Sequence, residues 1–200
     1  MNDEVELKSV VPDLPDARRR VEAAGGRLVF EGRLEDRRWD DAARTLMLQD
    51  HVLRVRTYRD ASGAKASVDW KGPTRFENGY KVREEISTTA ADADVMTRIL
   101  ERLGYEVIRE IDREVAQYDL QGCIVRFESY PRLDVLVEVE GTPQAIERAI
   151  GVLALPRAGF STDRLLAFAQ RFEARTGRRA AVSYRELHGD YGQRVLEESR

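Results

Sequence analysis

Apolar and charged residues alternate one by one through several separate stretches of this chain. Val5 and Leu7 are interleaved with Glu4, Glu6 and Lys8, and Leu53 and Val55 with Arg54 and Arg56. Trp70 precedes Lys71, and Val82 lies between Lys81 and Arg83, with Glu85 in the same parity. Val125 and Phe127 alternate with Ile124, Arg126 and Glu128, and Val137 and Val139 with Glu138 and Glu140. Successive side chains of a strand point to opposite faces, so each stretch predicts a strand with one apolar and one polar face. The polar faces are almost entirely Glu, Lys and Arg, whereas a solvated sheet face ordinarily mixes in Thr, Ser and Gln.

Extended to the whole chain, the pattern predicts strands over 2–11, 27–40, 52–59, 65–71, 80–88, 106–120, 123–130 and 134–141. A helix is expected from Pro15-Asp16-Ala17 to about Ala24, stopped by Gly25-Gly26. A second covers 91–103, with Val95, Ile99, Leu100 and Leu103 on one stripe and Gly104 at its end. Two more cover 142–153 and 162–175. Asp50 marks a turn, Ala61-Ser62-Gly63 a hairpin, and Gly72-Pro73-Thr74 a loop. The tail after Gly177 is polar and is expected to pack loosely, which divides the chain into a barrel domain over 1–176 and an extension over 177–200. Eight strands joined mainly by short turns predict an α+β fold, a closed eight-stranded antiparallel β-barrel with flanking helices. With apolar faces outward under the helices, the charged faces line the lumen. An unpaired buried ion costs on the order of several kcal/mol. The lumen must therefore be wet, internally paired, or filled by a highly charged ligand, and a polyanion with divalent cations satisfies both signs.

Composition narrows the classes. A length of 200 residues suits one domain, and a charged fraction of 34% leaves enough ions for a polar cavity. The net charge of −3 argues against a general nucleic-acid surface. The single cysteine, Cys123, rules out an internal disulfide and is expected to be a passive buried thiol. Trp39 and Trp70 are expected in the core, His51 and His188 at the surface. No signal peptide and no long apolar run are present, which predicts a cytoplasmic protein with no membrane partner.

The ordered set Glu4-Val5-Glu6-Leu7-Lys8, Leu53-Arg54-Val55-Arg56, Trp70-Lys71-Gly72-Pro73, Arg83-Glu84-Glu85 and Val137-Glu138-Val139-Glu140-Gly141 resembles the CYTH superfamily, the triphosphate tunnel metalloenzymes. That superfamily includes class IV adenylate cyclases, thiamine triphosphatases and inorganic tripolyphosphatases. The resemblance extends to about residue 175, with Glu35-Asp36-Arg37-Arg38-Trp39-Asp40 at an aromatic-rich strand ending in Asp and Arg113 at a basic strand position. Glu128 stands where relatives often carry Asp, Ile111 where a lysine is common, and Ser87 where some carry a further acid. Asp134 replaces a turn glycine. Two segments, 160–165 and Ser183-Tyr184-Arg185-Glu186-Leu187, echo a C-terminal family motif, and neither is preferred.

The residue chemistry is consistent with this resemblance. Carboxylates suit Mg²⁺ or Mn²⁺, and guanidinium and ammonium groups suit phosphoryl oxygens. Glu4, Glu6, Glu138 and Glu140, with Glu128 and Glu85 as further candidates, are the expected metal ligands. Lys8, Arg54, Arg56, Lys71, Lys81, Arg83 and Arg113 are the expected phosphate-binding set, and Lys8 and Glu6 the catalytic pair. Asp69 and Arg109 share the parity and are set aside. Structural ion pairs between Glu138/Glu140 and Arg54/Arg56 are the alternative use of the same charges. The expected function is metal-dependent hydrolysis of a small-molecule triphosphate: tripolyphosphate, ATP or thiamine triphosphate. A class IV adenylate cyclase making cyclic AMP and pyrophosphate, and a non-catalytic triphosphate sensor, are the alternatives. The resemblance also makes a homodimer compatible.

Overall fold

The computed structural model of the chain describes residues 3–193. Residue 2 of the first expected strand and residues 194–200 of the expected extension lie outside them. Nine strands are joined in one sheet: β1 (Asp3–Val10), β2 (Arg27–Asp41), β3 (Val52–Asp60), β4 (Gly63–Lys71), β5 (Arg75–Glu77), β6 (Tyr80–Ala90), β7 (Tyr105–Leu120), β8 (Cys123–Ser129) and β9 (Leu136–Gly141). The order β1-β9-β8-β7-β2-β3-β4-β6, with β1 also paired to β6, closes eight of them into an antiparallel barrel. β5 is a short extra strand on β6, occupying the edge that β4 vacates after Lys71. The closed α+β barrel expected from the alternation is the fold of the molecule.

The hydrophobic core lies outside the barrel wall. Leu7, Val125, Phe127, Val137 and Val139 project outward and are covered by α1 (Leu14–Ala23) and α4 (Pro143–Leu153). α4 contributes Ala145, Ile146, Ala149, Ile150 and Leu153, one stripe at helical spacing. A second cluster of Trp39, Val55 and Leu100 sits under α3 (Ala93–Arg102). Between these regions β7 carries a bulge: Arg38 faces Arg109, but Trp39 faces Val107, leaving Ile108 as the extra residue. The insertion switches parity, so Arg109 points into the barrel while Val107 packs with Trp39 under α3.

Two elements are additional to those expected, and two expectations about the elements need correction. α2 (Thr45–Leu48) was not foreseen. It begins after Arg44 in the left-handed region, and buried Asp40 accepts from the backbone N–H groups of Leu46 and Met47. β5 was also not foreseen. On α3 only Leu100 of the expected stripe is buried, whereas Val95, Ile99 and Leu103 are exposed. The described part of the tail, 177–193, does not pack loosely. After α5 (Leu165–Thr176), Gly177 at φ +68° turns the chain, and Ala180, Ala181, Val182 and Ser183 are buried before α6 (Tyr184–Leu187). Ala181 forms a bridge to Arg132, Asp112 donates its N–H to the Val182 carbonyl, and the Arg109 guanidinium binds buried Glu186 at 2.8 Å.

Candidate functional site

The barrel encloses a cavity of about 570 Å³, lined by acidic and basic side chains in equal number. Strand register builds most of its ion pairs, because directly opposed residues on one face touch across a ladder. Lys8 lies opposite Glu138 and Glu6 opposite Lys81, and the ammonium groups bind those carboxylates. Lys71 lies opposite Glu85 and pairs at 3.1 Å. Arg54 lies opposite Asp69 and pairs at 2.7 Å. Arg126 lies opposite Glu138 and binds it. Lys71 also reaches Glu4, and Lys8 is 3.0 Å from Glu6.

A carboxylate absent from the expected set organises the most buried part. Asp36 on β2 accepts from Nε and Nη2 of Arg56 at 2.7 and 2.9 Å and from Arg113 at 3.1 Å, with Arg54 at 3.5 Å. Arg113 in turn donates to Glu128 at 2.7 Å, and Tyr130 donates to the other Glu128 oxygen at 2.7 Å. Burial opposes the Asp36 charge, yet Arg113, Arg56 and Arg54 outweigh it and hold the carboxyl well below the usual carboxylate range. Burial and then the Glu128 charge push the Tyr130 hydroxyl well above its ordinary value. Parity alone could have found Asp36. Its neighbours Glu35 and Arg37 are also charged, paired outward with Arg59 and Asp112, and they hide the alternation.

The six expected metal ligands fall into two groups. Carboxylate oxygens of Glu4, Glu138 and Glu140 lie within 4.8 Å of one another. Glu6, Glu85 and Glu128 line the same cavity but are engaged by Lys8 and Lys81, by Lys71 and Arg54, and by Arg113 and Tyr130, respectively. Burial works against the Glu138 charge, but Lys8 and Arg126 hold its carboxyl well below the ordinary range. Glu140 shows the opposite balance: burial, then repulsion from Glu138, Glu4 and Glu6, lifts it to about 7 against the pull of Arg126. Three clustered hard oxygen donors, one of them poorly compensated, fit a divalent cation such as Mg²⁺ or Mn²⁺. Among the described residues the ion pairs of Glu138 and Glu140 are with Lys8 and Arg126, not with the Arg54 and Arg56 of the alternative reading.

All seven expected phosphate-binding cations line the cavity, joined by Arg126, Arg38 and Arg109. Arg83 differs from the rest. It donates to the carbonyls of Gly72 at 2.7 Å and Asp50 at 2.6 Å, tying the loop after β4 to the turn before β3. Burial disfavours the Lys8 ammonium, but Glu138, Glu6 and Glu128 together raise its pKa, so it stays charged. His51, expected at the surface, instead lines the cavity with its ring edge-on to Trp70, 5.2 Å between centroids. Cys123 is fully buried, and burial raises its thiol to about 11.

No protein-family model matches the chain, and no curated protein matches it. Solved structures do. A candidate adenylate cyclase of Vibrio parahaemolyticus is 20% identical with a TM-score of 0.71, over 84% of this chain and 97% of that one. A Pyrococcus horikoshii protein is 22% identical with a TM-score of 0.68, over 82% and 96%. A candidate adenylyl cyclase of Hippeastrum, described as having a dominant triphosphatase activity, is 16% identical with a TM-score of 0.61, over 89% and 97%. The chain thus shares the barrel fold of these proteins, as its motifs implied.

Proposed function

We propose that this protein is a divalent-metal-dependent hydrolase of a triphosphate substrate, whether tripolyphosphate, a nucleoside triphosphate or thiamine triphosphate. The observation that carries this reading is one enclosed cavity that sets the carboxylate cluster Glu4, Glu138 and Glu140 against a wall of arginines and lysines. Glu4, Glu138 and Glu140 would hold Mg²⁺ or Mn²⁺, which when bound offsets negative charge on phosphoryl oxygens.

The chain's own cations do the rest of the binding. Arg54, Arg56 and Arg113 are oriented by Asp36 and Asp69 and present guanidinium edges to phosphoryl oxygens. Lys71 and Lys81 hang from Glu4 and Glu6 and can turn from carboxylate to phosphate with little movement. Lys8, between Glu138 and Glu6, is placed as a positive anchor for a phosphoryl oxygen. Glu6, 3.0 Å from it, is the carboxylate left to orient an attacking water.

A cyclase reading is favoured by one observation, the likeness to the Vibrio candidate adenylate cyclase. Product analysis separates the readings. Tripolyphosphate, ATP and thiamine triphosphate are each incubated with Mg²⁺ and with Mn²⁺, beside the Glu4→Gln/Glu6→Gln variant. Orthophosphate release that disappears in the variant is the expected result. Cyclic AMP with pyrophosphate moves the protein to the cyclase reading, and metal-dependent binding without product leaves a sensor.

A further inference from the structure

One end of the cavity is built from different material. Met47 lies on α2 and His51 follows it, Val52 opens β3, and Leu165 and Leu166 form the first turn of α5; all five line the cavity and are half-buried. The two segments are clamped together, because Arg164 binds the Asp50 carboxylate at 2.8 Å. Asp50 also accepts from the Thr74 N–H at 2.7 Å, and its carbonyl accepts from Arg83. Ser161, just before this turn of α5, is bridged to Lys8 by paired backbone hydrogen bonds of 2.8 and 2.9 Å. This apolar rim adjoins the charged wall directly, since Val52 stands opposite Lys71 on β4.

An inorganic triphosphate, all charged oxygens, gains nothing from aliphatic side chains held half-open to water. A ring attached to the triphosphate gains by covering them. The charge at this end selects further. Asp50 is spent on Arg164 and Thr74, and Asp163 on Arg171 at 2.6 Å. Neither carboxylate is left to meet a cationic ring. Resting on the triphosphate reading above, we propose that Met47, His51, Val52, Leu165 and Leu166 form a subsite for the uncharged organic group of a nucleoside triphosphate. Methionine and leucine cover the flat faces of a base, and the fixed His51 ring offers an edge and a hydrogen-bonding nitrogen.

The test compares ligands that carry the same phosphates. Binding of β,γ-methylene ATP and of methyl triphosphate carrying the same non-hydrolysable β,γ-methylene bridge is measured by calorimetry on the full chain with Mg²⁺. Wild type is expected to bind the nucleotide roughly tenfold tighter. The Met47→Ala/Leu166→Ala variant is expected to lose that preference while keeping its affinity for methyl triphosphate. Equal wild-type affinities, or a variant that weakens both ligands alike, overturn the subsite and leave the triphosphate reading intact. Binding of neither ligand overturns both.

Discussion

The two faces of the barrel wall are alternate residues of the same strands, held in place by different physics. Outside, Leu7, Val125, Phe127, Val137 and Val139 are closed over by α1 and α4, and what matters is filled volume. Inside, Lys8, Glu138, Arg126, Arg54 and Asp69 each need a particular partner at hydrogen-bond distance. A buried ion pair contributes little net stability, because the desolvation of both charges offsets their attraction. The outer face therefore holds the barrel closed, while the inner face holds a pattern of charge that a polyanion with its cations can replace partner for partner.

The sharpest way to break this division is to exchange the faces' roles. Glu138→Gln removes a member of the carboxylate cluster and the partner of Lys8 and Arg126, and is expected to bring metal-dependent product formation to background. Phe127→Ala on the opposite face should instead cost about 3–5 kcal/mol of unfolding free energy and leave kcat/KM of the folded protein unchanged. Steady-state kinetics beside urea denaturation checks both, and retained activity in Glu138→Gln would sink the metal assignment.

Asp36→Asn comes next. It leaves Arg56 and Arg113 facing a neutral amide, and a loss of about 3–5 kcal/mol is expected. Tripolyphosphate should restore part of it, because phosphate oxygens can satisfy the same guanidiniums. A ligand-independent loss would mean that these arginines are structural only.

Acidification is expected to have a smaller effect. Asp36 and Glu138 titrate below the usual range in the folded protein, so their contribution is complete at neutral pH and is lost as the pH falls through their folded values. The urea midpoint of wild type should fall below about pH 4, and that of Asp36→Asn should fall less steeply. Parallel curves would contradict this.

The smallest expected effect lies on α3. Leu103→Lys, on its exposed stripe, should change stability by no more than about 0.5 kcal/mol, whereas Leu100→Ala should cost about 2–5 kcal/mol. Thermal melts of the two variants resolve that contrast.

Much of this architecture was legible in the sequence, for a physical reason. Period-two alternation assigns a strand and its inner face together, so finding Val5/Leu7 against Glu4/Glu6 also oriented the carboxylates. What escaped was set by long-range context. The α3 stripe looked like a core face, but Leu100, with the half-buried Met96 and Ala93, meets the barrel at another angle. α2 depends on Asp40 reaching forward to cap it, which no local propensity reveals. The tail looked polar, yet Ala180, Ala181 and Val182 are buried against the barrel end, where a small apolar run among arginines is easily passed over.

The seam of the barrel bears on how the molecule comes into being. β1 is the closing stave, joined to β6 by residues 3–6 and to β9 by residues 6–10. Pairings between segments so distant along the chain form slowly, because the intervening loop entropy is lost before the contacts return anything. Among the strands that enclose the cavity, β1, with Glu4, Glu6 and Lys8, is therefore made before both of the strands it pairs with and waits for the later of them, β9. The carboxylate cluster arises only when the last strand docks, because β9 carries Glu138 and Glu140, so a chain interrupted before β9 holds Glu4 without the partners that complete the cluster.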